Sequence, residues 1–154
     1  TAWGGLNVVS GAIGWAATAK DDDPTWRAFH QMNLGWGLVN TGLAINGLVG
    51  ALRTGDDPTT VADALRVNAN KQKLYLTMVG FDLAYLTAGT FLWIRGQQRN
   101  EPRTLGYGRS LVLQGSALLL FDGIMAIAHG RLGRNLWVSP TVTGTIGVSV
   151  GGRI

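Results

Sequence analysis

The chain contains no cysteine and little charge. Among its 154 residues there is no Cys, and charged residues make up 14%. The absence of Cys excludes disulfide bonds, thiolate metal sites and cysteine nucleophiles. Soluble domains ordinarily carry about 25% charged residues, so this chain has too little charge to cover a water-facing surface of normal composition. A chain of this length is expected to form one domain rather than two.

The few charges lie between long apolar stretches. Of the 22 charged residues (13 Lys+Arg and 9 Asp+Glu), only Asp82 and Asp122 lie inside a stretch. The four stretches cover residues 2–19, 28–52, 74–94 and 110–128. Each approaches or exceeds the roughly 20 residues that cross a bilayer as a helix. The pattern predicts four transmembrane helices. A soluble bundle of buried helices is the alternative, and the modest mean hydropathy of +0.16 keeps it open.

The basic residues do not form a patch. The net charge is +4, but Lys and Arg occur singly or in pairs at the ends of the stretches, where they would meet lipid headgroups. We therefore expect a lipid bilayer as partner and no nucleic acid. The predicted loops on the two sides carry nearly equal numbers of Lys and Arg, so the orientation stays open. So does the choice between the inner and the outer bacterial membrane.

The first residue is Thr1, and no basic-then-apolar leader follows it. This start predicts a mature exported protein whose signal peptide has been removed, although a trimmed chain would look the same.

Proline and glycine mark the predicted helix ends. An acidic residue followed by Pro precedes three stretches, and Pro is favoured at the first helical position, where a preceding acidic residue can cap free amides. Glycine is expected just beyond three helix ends as the left-handed C-cap residue. The acidic-proline pairs are Asp23-Pro24, Asp57-Pro58 and Glu101-Pro102, and the glycines are Gly55, Gly96 and Gly130. We predict helices over about residues 2–19, 24–53, 58–95 and 103–130, within a transmembrane domain of residues 1–134.

Glycine is also abundant inside the stretches, with 23 residues in the whole chain. In lipid, glycine lets helix backbones approach closely, so these residues predict tight contacts between helices. Gly106-Tyr107-Gly108 is interpreted as no more than a turn.

Residues 135–154 form a different kind of segment. From Val138 onward apolar and polar residues alternate, which predicts a half-buried β-strand. A lone strand cannot satisfy its own backbone groups. The tail is expected to fold back at Gly144 or Gly147, or to pair with another copy or another protein by strand addition; we favour pairing between copies through residues 138–154. The apolar positions of this assembly strand are Val138, Val142, Ile146, Val148 and Val150.

Polar residues recur inside the apolar stretches and are the candidate site. An ionisable group at membrane depth usually faces the protein interior. We predict an intramembrane polar network that locks the helices together; a path for ions or protons along the carboxylates is the alternative. The candidate residues are Asn7, His30, Asn33, Asn40, Asp82, Tyr85, Gln114, Asp122 and His129. Because no zinc-type spacing, phosphate-binding loop or nucleophile elbow occurs, we predict no enzyme, no metal site and no cofactor.

Two further segments have distinctive sequences. One is Phe29-His30-Gln31-Met32-Asn33 with Trp36 and Asn40; the other runs from Gly106 to Ser110 and through Gln114-Gly115 to Phe121-Asp122-Gly123 and His129. Together they resemble a family of uncharacterised bacterial four-helix membrane proteins. The resemblance covers about residues 3–130. It implies the four-span fold and, because that family has no assigned activity, no catalytic residues.

These observations favour an all-α, four-helix transmembrane bundle with a C-terminal β-strand or hairpin extension. The expected function is that of a structural, self-associating membrane protein of the bacterial cell envelope, linked through Gly-rich helices and the terminal strand into an oligomer or array. The alternative is a small ion or proton channel or transporter that uses Asp82 and Asp122.

Overall fold

The computed structural model describes residues 2–20, 23–54, 60–135, 137–140 and 146–149. These residues form four α-helices followed by two short strands. The helices are α1 (Ala2–Ala17), α2 (Pro24–Thr54), α3 (Val61–Gln98) and α4 (Pro102–Asn135), and the strands are β1 (Trp137–Pro140) and β2 (Ile146–Ser149). The predicted four-helix architecture is confirmed.

Helix α2 begins where the acidic-proline pair predicted. The Asp23 carboxylate accepts hydrogen bonds from the Thr25 hydroxyl at 2.6 Å and the Thr25 amide at 2.9 Å. These bonds, first the side-chain one and then the backbone one, lower the pKa of Asp23, and the positive charge of Arg109 adds to the shift. A carboxyl with a lowered pKa stabilises the fold above its unfolded-state pKa and loses that contribution as the pH falls through its folded-state pKa.

Helix α3 begins and ends at residues other than those predicted. Thr60 caps its start, because the Thr60 hydroxyl accepts from the Asp63 amide at 3.1 Å and donates to the Asp63 carboxylate at 2.6 Å. The predicted cap, Asp57-Pro58, lies outside the described residues, as does Gly55. At the other end Asn100 is the left-handed residue, with a φ of 51°.

The end of α3 is a Schellman motif rather than a glycine cap. The Glu101 amide donates to the Gly96 carbonyl at 2.9 Å and the Asn100 amide to the Gln97 carbonyl at 3.4 Å, the pattern in which the last carbonyls of a helix are satisfied from beyond its end. The prediction of a C-cap at Gly96 is wrong, because α3 continues to Gln98 and Asn100 is the left-handed residue. Gly96 instead permits close contact with α4, since a Cβ there would collide with the Leu105 backbone. Gly130 also lies inside a helix, since α4 continues to Asn135.

The described residues divide by contacts into two units. The first comprises Thr1–Gly55 and Phe81–Leu118, and the second Asp56–Gly80 and Leu119–Ile154. The first unit is a four-helix bundle, because it contains α1, α2, the second half of α3 and the first half of α4. The second contains the other halves of α3 and α4 together with β1 and β2. The predicted division into residues 1–134 and a tail stays a prediction.

Burial in this chain is inverted relative to a water-soluble domain. Among the residues that the structure describes, the largest fully buried side chains are Gln114 and Ser110, each 0% exposed, and the buried hydrophobic residues are only Ala28, Leu111 and Ala126. Many large apolar side chains are exposed instead. They include Leu6, Val9 and Ile13 on α1, Leu43, Leu48 and Leu52 on α2, and Leu120, Ile124 and Ile127 on α4.

Two of the described helices are long and apolar enough to cross a membrane, whereas four were predicted. They cover Val61–Gln98 and Pro102–Gly133. Helix α1 has 16 residues, fewer than the about 20 that cross a bilayer core. Helix α2 is long enough, but its five glycines and three asparagines lower its hydropathy. By length and composition alone, the two helices are weak support for a membrane location.

Strands β1 and β2 pair with each other in an antiparallel hairpin. Val138 lies opposite Val148, and Pro140 lies opposite Ile146. This is the fold-back alternative. Gly147 lies within β2 and is not the turn, whereas Gly144 lies outside the described residues. Val142 and Val150 lie outside the described residues. Pairing between copies stays a prediction.

Candidate functional site

Gln114 of α4 is the centre of a buried hydrogen-bond network in the four-helix unit. Its side-chain oxygen accepts from the Trp3 indole N–H at 2.9 Å. Its amide nitrogen donates to the side-chain oxygen of Asn7 at 2.6 Å and to that of Asn33 at 3.1 Å. One side chain therefore joins α4 to α1 and α2 at the same level.

Two further bonds complete this group, which we call the Gln114 network (Trp3, Asn7, Asn33, Ser110 and Gln114). The Ser110 hydroxyl donates to the side-chain oxygen of Asn33 at 2.5 Å. The Asn7 side-chain amide donates to the Trp3 carbonyl at 2.8 Å. None of the five side chains is ionisable near neutral pH, so the network can hold helices together but supplies no acid or base.

Helical spacing explains why these residues meet. Ser110 and Gln114 are four residues apart, as are Trp3 and Asn7, and side chains at this spacing lie on one helix face. Gly106 continues the same face of α4 by another turn. A Cβ on Gly106 would collide with the Thr25 carbonyl oxygen of α2. The interpretation of Gly106-Tyr107-Gly108 as a turn is therefore wrong: these residues lie within α4, and the glycines permit close contact.

His129 belongs to a second polar group, which lies in the second unit. Its ring Nδ1 is 2.6 Å from the Asn68 side-chain oxygen, and the Asn68 amide donates to the His129 carbonyl at 2.8 Å. Because that Asn oxygen can only accept, Nδ1 of His129 is the donor in this contact. Tyr75 stacks on the imidazole with 5.5 Å between ring centroids.

The remaining candidates of helix α2 make mainly aromatic and close van der Waals contacts. His30 lies against the Phe29 ring at a centroid distance of 5.3 Å and next to Gly14 of α1. Trp36 packs edge-on against Tyr85 of α3 at 4.8 Å. His30 Nδ1 and the Asn40 amide nitrogen are buried and have no hydrogen-bond partner among the described residues. These residues lie outside the Gln114 network.

Asp82 and Asp122 are both buried, with 3% and 8% of their surfaces exposed. Asp82 belongs to the four-helix unit and Asp122 to the second unit. Within the described parts of the chain, no group of three or more His, Asp and Glu residues could hold a metal ion.

Trp3, Asn68, Tyr75 and Ser110 belong to the two polar groups but were not among the predicted candidate residues. A seven-residue spacing could have identified the α3 members, because Asn68, Tyr75 and Asp82 are followed at the same interval by Gly89 and Gly96. Helix α4 has the matching series Gly108, Gly115, Asp122 and His129. A spacing of seven places residues along one seam of a packed helix.

The chain belongs to a family of unknown function, DUF6992, which matches residues 1–123. The prediction of an uncharacterised family is thereby confirmed. The match covers α1 to α3 and most of α4 and ends before the strands. No curated protein and no solved structure matches the chain.

Proposed function

We propose that this member of the family is a structural integral membrane protein of the bacterial cell envelope, and that its copies associate with one another. The observation that supports this proposal is the inverted burial. Polar side chains occupy the interior of the four-helix unit, and leucine, isoleucine and valine cover its outside.

Polar side chains inside and apolar side chains outside are expected for a protein in lipid rather than in water. Monomeric soluble proteins rarely expose apolar patches larger than a few hundred Å². In the two apolar windows of α3 and α4 only 11% and 22% of residues are buried, whereas the core helix of a soluble protein would be mostly buried. In lipid the polar groups must find partners inside the protein, as the five members of the Gln114 network do.

Two features support association between copies. Gly42 and Gly47 of α2 have open space where a Cβ would lie, and small residues on a lipid-facing helix let a second helix approach closely. In the two-stranded sheet of β1 and β2, each strand also has one edge that the other does not cover, and such an edge can accept a strand from a neighbouring copy.

Deleting residues 138–154 is expected to reduce the size of the assembly without releasing the protein from the membrane. The strand edges are lost, while the four helices remain. The measurement is membrane fractionation after an alkaline wash, followed by light scattering of the detergent-solubilised protein. The matched control keeps the chain length but replaces residues 138–154 with a Gly/Ser segment. It should assemble like the deletion, because it also lacks the strands.

This experiment tests the two parts of the proposal, linkage through the tail and insertion into the membrane, separately. An unchanged assembly size in both altered chains would exclude linkage through the tail. Recovery of the intact chain in the wash would exclude integral membrane insertion.

A channel or transporter is the second candidate function. Asp82 and Asp122 are buried in α3 and α4, the two described helices that are long and apolar enough to cross a membrane. Buried carboxylates at membrane depth often belong to an ion or proton path, because their desolvation is otherwise costly.

The variants Asp82→Asn and Asp122→Asn should reduce proton or cation flux in liposomes to the level of empty liposomes if this second function is correct. Asp63→Asn, at an exposed position of α3, is the control and should leave the flux unchanged. Wild-type liposomes that leak no faster than empty ones would rule out the channel.

A further inference from the structure

A cleft of about 330 Å³ lies between the first turns of α2 and α4, in the four-helix unit. Its lining consists of Pro24, Arg27, Ala28, Gln31, Arg103 and Tyr107. The volume is at the small end of the about 300–1,000 Å³ that ligand sites occupy. It suits a headgroup-sized molecule.

The polar groups of this cleft are mainly hydrogen-bond donors. Arg27 and Arg103 each contribute a guanidinium group, which donates and cannot accept. The Tyr107 hydroxyl donates to the Gln31 side-chain oxygen at 3.4 Å. Since that bond uses the Gln31 oxygen, the remaining polar group of Gln31 is an NH₂ donor.

The described carboxylates at this end of the unit are engaged elsewhere. Asp23 accepts from Thr25 at the start of α2, and Glu101 accepts from the Thr104 hydroxyl at 3.0 Å. These two carboxylates therefore do not line the cleft with the arginines, and Arg27 and Arg103 give the cleft its positive charge.

Aromatic and basic residues elsewhere in the four-helix unit are of the kind found at a membrane surface. The Arg109 guanidinium carbon lies 5.8 Å from the Trp26 ring centroid and 5.7 Å from that of Trp93. Trp and Arg are typical of the headgroup layer, where an aromatic ring and a charge are both accommodated.

We propose that this cleft binds a phosphate group through Arg27, Arg103 and the Gln31 amide, and that an anionic phospholipid headgroup supplies it. Guanidinium groups bind phosphate oxygens through paired, charge-assisted hydrogen bonds. The lipid source rests on the proposed membrane function, whereas the phosphate site itself does not.

The first test uses the unaltered protein in detergent and inorganic phosphate as the probe. Phenylglyoxal modifies accessible arginines, and peptide mass spectrometry gives the rate at each one. Phosphate should slow modification of Arg27 and Arg103 several-fold relative to chloride at the same ionic strength. Arg95 and Arg99 are exposed and do not line the cleft, so their rates should stay unchanged. Equal slowing at all four arginines, or none, overturns the proposal.

The second test measures lipid binding by native mass spectrometry with short-chain phosphatidylglycerol. The double variant Arg27→Gln/Arg103→Gln should bind at least about tenfold more weakly than wild type, because each lost charge-assisted bond costs about that factor. The variant Arg95→Gln/Arg99→Gln has the same net charge and should bind like wild type. Diacylglycerol, which lacks the phosphate, should not bind at the cleft.

The outcomes separate the source of the phosphate from the existence of the site. Protection by phosphate together with weakened phosphatidylglycerol binding in the cleft variant supports the lipid headgroup. Protection by phosphate with equal lipid binding in both double variants supports a site for free phosphate and overturns the lipid source. Failure of membrane insertion would appear in the fractionation experiment and would leave the phosphate test intact.

Discussion

Replacing Gly106 with alanine is expected to lower the free energy of unfolding of the four-helix unit by about 1–3 kcal/mol, the usual cost of overpacking. A Cβ at this position would overlap the Thr25 carbonyl oxygen and lie 2.9 Å from both the Ala28 Cβ and the Phe29 amide nitrogen. Two of these three atoms belong to the α2 backbone, so the overlap can be relieved only if α2 and α4 move apart. That separation would also stretch the bonds between Ser110, Gln114 and Asn33.

The measurement is unfolding by sodium dodecyl sulfate in mixed micelles, monitored by circular dichroism. Gly35→Ala is the matched control in the same unit, since nothing lies within 4 Å of a Cβ built there. Alanine is the better helix former by up to about 1 kcal/mol, so this control should be as stable as wild type or more so. Equal stability of the Gly106 and Gly35 variants would show that the two helices are not in the tight contact described.

Helix number and several helix ends were predictable because they depend on local chemistry. The Asp23-Pro24 pair indicated the start of α2, and its carboxylate does cap Thr25. The C-terminal ends were predicted less well. Gly96 satisfies the sequence rule for a left-handed cap, but Asn100 adopts that conformation. Gly96 lies inside α3, where its missing Cβ permits contact with Leu105 of α4. A rule based on one helix cannot anticipate the backbone of its neighbour.

The candidate site was predictable in its residue types and not in its pairings. Buried Asn and Gln residues in apolar helices are expected to bond across helices, and Asn7, Asn33 and Gln114 are indeed placed together. Which partners meet depends on the axial offset of α1 and α2 against α4, which no single helix pattern contains. For the same reason Asn68 was missed, because it lies in a polar extension and becomes buried only against α4.

Replacing Gln114 with leucine is expected to lower the free energy of unfolding by about 2–5 kcal/mol, because it breaks three hydrogen bonds that are worth about 0.6–1.7 kcal/mol each in a membrane. Leucine fills a similar volume but neither donates nor accepts. The substitution leaves the Trp3 indole N–H without its acceptor and removes the amide donor from Asn7 and Asn33. In a lipid environment no water is present to replace these bonds. Gln98→Leu, at an exposed position of α3, makes the same chemical change outside the network and should alter stability by less than about 0.5 kcal/mol.

A double-mutant cycle between Gln114→Leu and Trp3→Phe distinguishes a lost hydrogen bond from poor packing of the leucine. Trp3→Phe removes the indole N–H that donates to Gln114 at 2.9 Å. If this bond joins α1 to α4, the double variant should be more stable than the sum of the single effects predicts, by about 0.6–1.7 kcal/mol. Additive effects would mean that the Trp3–Gln114 bond does not stabilise the fold, and that the cost of Gln114→Leu comes from the other bonds of Gln114 or from its packing. A coupling of the expected size would instead show that the bond between Trp3 and Gln114 helps to fix the position of α1 against α4, in a bundle with few buried apolar side chains among its described residues.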